Sequence, residues 1–153
     1  MNADHVNPFI QGAQSVLTQF CGNKPNLGKL YLKNAPYDAS PVNIHVSIIG
    51  GLQGTMLLGM DESVGCFLAS KMMGMQPPAL DEISQSALSE LANIISGNVA
   101  TIFSGKGSLV DITTPNFVRG GTSADFPMLQ KNVVCIPLSL DGGMVVELNV
   151  WIG

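Results

Sequence analysis

The segment SALSELANIISGN, residues 86–98, lies inside the longest helical pattern of the sequence, and the interpretation of the fold starts from it. Apolar residues recur from about Leu80 to Phe103, and at roughly 100° per residue they gather into one broad arc. The arc that is predicted to face the core contains Ile83, Ala87, Leu91, Ile94, Ile95, Val99 and Ile102. Asp81 and Glu82 suit the positive N-terminal end of this helix.

The opposite arc of this helix has an unusual composition for a solvated surface. It carries one charged residue, and its members are Gln85, Ser86, Ser89, Glu90, Asn93, Ser96, Gly97 and Ala100. A solvated helix face is usually rich in Lys, Glu and Arg. Small residues let a second surface approach closely, and interfaces also favour neutral faces. Composition alone therefore allows either a functional site or a face packed in a dimer or under a loop.

Three polar residues of this arc form a row. Ser86, Glu90 and Asn93 stand at positions i, i+4 and i+7, so their side chains project from one side of the helix. The row is about 10 Å long at a rise of 1.5 Å per residue.

The remaining elements are read from apolar periodicity and from breaker residues. Asn7 is predicted to cap a first helix, with Pro8 in its first turn, that runs to about Phe20. Asp61 is predicted to cap a short helix from Glu62 to about Met73. The predicted strands span residues 29–33, 42–49, 52–60, 109–112, 132–140 and 144–151.

The order of these elements repeats along the chain. Each half is predicted to contain, in order, a helix, a strand, a break marked by proline and a hairpin. A glycine pair forms the turn of each hairpin, Gly50-Gly51 in the first half and Gly142-Gly143 in the second. We predict one domain over residues 1–153, with pseudo-repeat halves of about 6–74 and 79–153. Its class is α/β (α+β): a pseudo-two-fold, mainly antiparallel sheet with two long helices and a short helix packed on it.

Composition restricts the class of function. Hydrophobic residues make up 46% of the chain and charged residues 12%, which favours a folded domain with a face covered by another chain. The net charge of −4 and the absence of basic runs disfavour nucleic acid as a partner. No stretch approaches the roughly 20 apolar residues that span a bilayer, and the polar N-terminus is unlike a signal peptide, so we expect no membrane partner and a cytoplasmic location.

Other reactive residues give weaker signals. Cys21, Cys66 and Cys135 are far apart in sequence and are predicted to be buried free thiols. His5 and His45 lack partners at metal-ligand spacing, so we predict no metal site, and the alternation around His45 predicts that its side chain points outward.

The row on the long helix resembles the signature of the CheC/CheX/FliY chemotaxis phosphatases. Ser86-x3-Glu90-x2-Asn93 is followed by Pro115, 22 positions after Asn93, which matches four spaced positions of that family. The sequence around Glu90 and the N-terminal segment Asn7-Pro8-Phe9-Ile10 are also similar to sequences of that family. CheC and FliY proteins carry the motif twice. The first helix here has no Glu-x-x-Asn pair, so the chain resembles the CheX group.

The resemblance implies an activity and a set of roles. The substrate would be a CheY-like response regulator phosphorylated on aspartate, with Mg²⁺ bound by the regulator and no cofactor held by this chain. Asn93 would position the attacking water, and Glu90 would pair with the regulator's active-site lysine. Ser86 would support the contact, and Pro115 would shape the adjacent loop.

The resemblance also leaves alternatives open. One is a dimer that binds a regulator or another signalling protein without turnover, and another is a structural piece of the flagellar switch, because FliM shares this fold. Members of the CheX group form homodimers by exchanging or pairing terminal strands. The apolar segment from Met144 to Trp151 would suit such a homodimer.

Overall fold

The computed structural model describes residues 3–126 and 132–153. Three α-helices lie in these residues: α1 (Ala3–Cys21), α2 (Glu62–Met73) and α3 (Glu82–Gly105). The strands of the same residues are β1 (Asn26–Leu27), β2 (Tyr31–Lys33), β3 (Val42–Gly50), β4 (Gly54–Met60), β5 (Val110–Ile112), β6 (Asn116–Arg119), β7 (Val133–Ser139) and β8 (Val145–Ile152).

These strands form one antiparallel sheet. Its order is β1-β7-β8-β4-β3-β5, with β2 also paired to β7 and β6 also paired to β3. The two long hairpins, β3–β4 and β7–β8, meet side by side where β4 pairs with β8. The strand order is therefore symmetric about the β4–β8 pair, while the division of the chain near residues 74–79 stays a prediction.

The helices cover one face of the sheet. On β3 the alternate residues Val42, Ile44, Val46 and Ile48 are fully buried, as the predicted alternation requires. On β4 every residue is buried, because segments on both sides of the sheet cover this central strand. The predicted arrangement of two long helices and one short helix on an antiparallel sheet is confirmed.

The first long helix packs directly against α3. Phe9 and Phe103 meet edge to face, with ring centroids 5.9 Å apart and planes inclined by 75°. Gly12 lies at a close approach of the two helices, because a β-carbon there would meet a methyl group of Val99. This packing holds α3 against α1.

The start of α1 differs from the prediction. The helix begins at Ala3, so Asn7 is not its N-cap and Pro8 lies inside the helix. A proline there removes one backbone hydrogen bond near the N-terminal end. Val6, Pro8 and Phe9 are all buried, so the helix continues through the proline to place these apolar side chains in the core.

The buried arc of α3 is rotated relative to the prediction. Ile83, predicted in the core, is 68% exposed, and Ser96, predicted on the outer arc, is 1% exposed. Ser96 can be buried because its hydroxyl donates to the carbonyl of Ala92, 2.8 Å away, one turn earlier. Ser84 is buried for a similar reason, since its hydroxyl donates to Asp81.

The predicted outward orientation of His45 is wrong in one respect. Its side chain is on the face away from the helices, but it is only 7% exposed. That face carries a second apolar cluster of Leu57, Phe126 and Val133, which covers it. His45 Nε2 lies 2.6 Å from Thr55 Oγ1, and burial lowers the pKa of the imidazole.

The segment from Met144 to Trp151, expected to suit a homodimer made by exchange or pairing of terminal strands, is paired within this chain, and its use between chains stays a prediction. The segment forms β8, which pairs with β7 on one side and β4 on the other. Both edges of β8 are thus occupied within the chain. A homodimer stays a prediction.

Cys21, Cys66 and Cys135 are free, and Cys66 and Cys135 are buried while Cys21 is half-buried. Among the helices of the described residues, none is long and apolar enough to cross a membrane.

Candidate functional site

A groove runs along the outer side of α3. It has a volume of about 510 Å³ and is open to solvent along one side. One wall is α3 itself and the other is the segment from β5 to β6. The lining residues are Glu82, Gln85, Ser86, Ser89, Glu90, Asn93, Ile112, Thr113, Thr114, Pro115 and Phe117. The structure thereby brings all four residues singled out from the sequence, Ser86, Glu90, Asn93 and Pro115, to one place.

The α3 wall presents two unpaired polar groups. Ser86 and Glu90 are exposed, and Asn93 is half-buried. Within the described parts of the chain, no hydrogen bond or ion pair engages the Glu90 carboxylate or the Asn93 carboxamide. Both groups are therefore available to a molecule that enters the groove.

The start of α3 is fixed by a capping network. Asp81 Oδ1 accepts hydrogen bonds from the Ser84 N–H at 2.9 Å and from the Ser84 hydroxyl at 2.7 Å. The bond from the Ser84 N–H is the main reason that the pKa of Asp81 is lowered. Gln85 Nε2 donates to the carbonyl of Leu80 at 2.9 Å. These contacts set the register of the row that follows.

The second wall contains a β-bulge. β3 pairs with β5 at Ile48↔Ile112 and with β6 at His45↔Asn116, so two residues of β3 face the three residues Thr113, Thr114 and Pro115. The extra residue pushes this segment out of the ladder toward α3. Proline is compatible with the bulge because it has no N–H to donate.

Thr113 closes the ladder beside the bulge. Its N–H donates to the carbonyl of Ser47 at 3.0 Å, and its hydroxyl accepts from the Ser47 N–H at 2.9 Å. A backbone hydrogen bond and a side-chain hydrogen bond thus replace the missing ladder pair. Thr114 and Pro115 are thereby free to line the groove.

Arg119 ties the two walls together at one end. Its guanidinium donates to the carbonyl of Leu80 at 2.9 Å, directly before α3, and pairs with the Glu62 carboxylate of α2. The same guanidinium lies over the ring of Phe117, 5.5 Å from its centroid, and Phe117 lines the groove. The separation of the walls at this end is fixed by these contacts.

The charge of the groove has one sign. Among its described lining residues there are two carboxylates, Glu82 and Glu90, and no Lys, Arg or His. An anionic ligand arriving alone would be repelled by these carboxylates, whereas a cationic group would be attracted. In residues 3–126 and 132–153, no three His, Cys, Asp or Glu side chains come together in a way that could hold a metal ion.

Comparisons with known proteins agree on one family. The family described as "Chemotaxis phosphatase CheX" matches residues 42–139 of this chain. The chain belongs to the CheX family. A curated relative, the CheY-P phosphatase CheX of Thermotoga maritima, is 31% identical over 127 residues, which covers 78% of this chain and 78% of that protein.

Solved CheX structures have the same fold. The crystal structure of the CheX–CheY–BeF3–Mg²⁺ complex from Borrelia burgdorferi matches with 28% identity and a TM-score of 0.79, covering 99% of each chain. CheX from Vibrio vulnificus matches with 21% identity and a TM-score of 0.84, covering 99% of this chain and 100% of that one. The latter similarity establishes the fold alone.

Several lining residues of this CheX-family groove were not singled out from the sequence. Thr113, Thr114, Ile112 and Phe117 form most of the second wall, and Glu82 adds the second carboxylate. On this wall the sequence singles out Pro115 through the family resemblance, whereas Thr114 marks no more than a break between predicted strands. Pairing with β3, which brings these residues beside α3, leaves no local mark in the sequence.

Proposed function

We propose that this chain removes the phosphoryl group from the aspartyl phosphate of a CheY-like response regulator, and that the regulator docks in the groove along α3. The observation that carries the proposal is the pair of Glu90 and Asn93. Both line an open groove, and neither side chain is engaged by another described residue. The Thermotoga relative is a CheY-P phosphatase, and the Borrelia structure contains CheX together with CheY, BeF3 and Mg²⁺.

The charge of the groove supports a substrate that brings its own cations. A phosphoryl group is anionic, and the groove offers two carboxylates and no cationic lining residue among those described. The approach becomes favourable when Mg²⁺ and a basic side chain of the regulator compensate the negative charges of the phosphoryl group and of Glu90. Mg²⁺ is therefore part of the incoming substrate, and this chain supplies no cofactor of its own.

Asn93 has the chemistry to place the attacking water. Its carboxamide is neutral, so it can approach the phosphoryl oxygens without repulsion while it hydrogen-bonds a water molecule. In the reaction the water oxygen bonds to phosphorus, the bond from phosphorus to the aspartate oxygen breaks, and the products are the free carboxylate and inorganic phosphate. Phosphoryl transfer depends mainly on such positioning and on charge stabilisation.

The other motif residues have supporting roles in this proposal. Glu90, one turn before Asn93, pairs with the regulator's lysine and fixes the depth to which α3 enters the partner. Such a pair is stronger in a closed interface than on a surface. Ser86 supplies a hydrogen bond at the entrance to the groove, and Pro115 holds the bulge that forms the facing wall.

The decisive experiment is an assay of phosphate release from a phosphorylated CheY-like protein of the same organism. The wild-type chain is expected to accelerate release, and Asn93→Ala is expected to bind the regulator but lose at least about a hundredfold of the acceleration. Asn98→Ala is the matched control, because Asn98 is on the same helix but does not line the groove.

Three results bear differently on the proposal. Full activity of Asn93→Ala would remove Asn93 from the chemistry. Binding without accelerated release by the wild-type chain would instead identify a regulator-binding scaffold. If no CheY-like protein of the organism binds or is dephosphorylated, the proposed function is wrong.

A further inference from the structure

An isoleucine is exposed at the start of the helix that carries the groove. Ile83 is in the first turn of α3 and is 68% exposed, although most apolar residues of the helix are buried or half-buried. A single exposed apolar side chain is common on protein surfaces and is not by itself evidence of a binding site. Its position relative to the groove is what distinguishes Ile83.

Ile83 extends the row of polar groove residues by one turn. Residues 83, 86, 90, 93 and 97 are separated alternately by three and four positions, so they form one stripe along the helix. At a rise of 1.5 Å per residue, Ile83 lies about 10 Å from Glu90 along the axis. Its neighbours Glu82 and Ser86 both line the groove. Gly97, at the other end of the stripe, has no atom within 4 Å of where its β-carbon would be.

From this juxtaposition we infer that Ile83 is an apolar anchor for the phosphorylated receiver domain that docks on α3, and that it determines the affinity for that partner. The inference rests on the proposed function. A partner that places a cation beside Glu90 and a phosphoryl group beside Asn93 lies against the same stripe, and its surface reaches the first turn of α3. Contact there removes Ile83 from water at the margin of a groove whose α3 wall is polar.

An apolar anchor is well suited to this location. The groove contributes mainly small and polar side chains, whose contacts with a hydrated partner give orientation more than affinity. Burial of one large aliphatic side chain adds affinity without any requirement for charge or geometry at the reacting atoms. Ile83 is therefore a specificity-determining residue that touches the partner, and it takes no part in the chemistry.

The test measures affinity and turnover separately. The probe is the CheY-like protein of the same organism that the wild-type chain dephosphorylates fastest, activated with BeF3 and Mg²⁺ for titration and phosphorylated for kinetics. Ile83→Ser is expected to raise both Kd and KM about ten- to thirtyfold and to leave kcat unchanged. Ile83→Leu is expected to restore both values to within about twofold of the wild type.

A matched control exists at the far edge of the sheet. Leu32 is 67% exposed on β2, which pairs with β7, whereas the groove wall pairs with β3 at the opposite edge. Leu32→Ser therefore removes a similarly exposed aliphatic side chain away from the groove and is expected to leave Kd and KM unchanged.

The variants Ile83→Ser and Asn93→Ala separate the role of Ile83 from the phosphatase activity. If Ile83→Ser keeps the wild-type Kd and KM while Asn93→Ala loses activity, the inference is wrong and the phosphatase assignment stands. A fall in kcat at unchanged KM would also overturn it, because that result places Ile83 in the reaction step. If Leu32→Ser weakens binding as much as Ile83→Ser, the effect is not local to the groove and the inference again fails.

Discussion

A β-carbon on Gly12 would lie 2.8 Å from Cγ2 of Val99, closer than such atoms approach in proteins, so α1 and α3 are in contact through the missing side chain of this glycine. The next neighbours of that position are backbone atoms of α3. Neither a β-branched side chain nor a helix backbone can move away easily. The close contact with α1 therefore fixes the position of α3, the helix that carries the row of groove residues.

The first prediction concerns this contact. Gly12→Ala is expected to lower the free energy of unfolding by about 1–3 kcal/mol, because overpacking outweighs the better helix propensity of alanine. Gly97→Ala is the matched control in α3, where nothing lies near the new methyl group. It is expected to raise the free energy of unfolding by about 0.5–1 kcal/mol. Urea unfolding curves measure both, and shifts of the same sign would contradict the packing argument.

The second prediction compares two aspartates at helix starts. Asp81 caps α3 through Ser84, whereas Asp61 precedes α2 without a side-chain capping hydrogen bond. Asp81→Ala is expected to lower the midpoint of urea unfolding and to increase hydrogen exchange in the first turn of α3. Asp61→Ala is expected to change both much less. Equal effects of the two substitutions would show that the Ser84 contact does not stabilise the helix start.

The third prediction concerns the two carboxylates of the groove. Glu90→Gln keeps the shape of the side chain but removes its charge, and it is expected to weaken binding of a BeF3-activated regulator by at least about tenfold. Glu82→Gln, at the end of the groove, is the charge-matched control and is expected to weaken binding less. Titration at low and moderate salt measures both. Unchanged affinity of Glu90→Gln would remove Glu90 from recognition of the partner.

The fourth prediction concerns pH and His45. Burial lowers the pKa of His45 below its usual value of 6.5, so the unfolded chain binds more protons than the folded one as the pH falls below about 6.5. The free energy of unfolding is therefore expected to fall between about pH 6.5 and pH 5, above the range in which carboxylates titrate.

Replacement of the histidine tests this assignment. His45→Gln is expected to flatten the dependence of unfolding on pH in that window, measured by urea unfolding at pH 5, 6 and 7. His5→Gln, which removes the other histidine, is the matched control. An equal flattening in both variants would show that the slope does not come from His45.

The parts of the fold that local signals determine were predicted well. The short helix was placed at Glu62–Met73, where the structure has it, because Asp61 precedes it and Gly74 ends it with a positive φ of 76°. Ser86, Glu90 and Asn93 were predicted to share one side of α3, and they do line one groove. Both results depend only on residues within a few turns of each other.

The rotation of α3 was predicted less well, for a physical reason. Hydropathy assigns isoleucine to the core and serine to the surface, yet Ile83 is exposed and Ser96 is buried. A serine whose hydroxyl bonds to its own helix can be buried at little cost, and a single isoleucine can remain exposed where a helix projects beyond its neighbours. Neither the burial of Ser96 nor the exposure of Ile83 can be deduced from hydropathy alone.

Apart from Pro115, the second wall of the groove could not be predicted, because it depends on pairing between segments that are far apart in sequence. The strand β6 is short and follows a proline, and it forms because β3, far away in sequence, offers it an open edge. The contact between Ser47 and Thr113 joins residues 66 positions apart. The bulge that contains Pro115 exists only after that pairing.

The join between β4 and β8 has a consequence for how the chain reaches this structure. The hairpins β3–β4 and β7–β8 can each form locally, but Gly54 must then find Ile152 and Gly59 must find Glu147 across most of the chain. Contacts between residues so far apart in sequence are slow to form. Until these contacts form, each hairpin exposes an unpaired, largely apolar edge. Nascent molecules are therefore most prone to aggregate at the seam that later becomes the centre of the sheet.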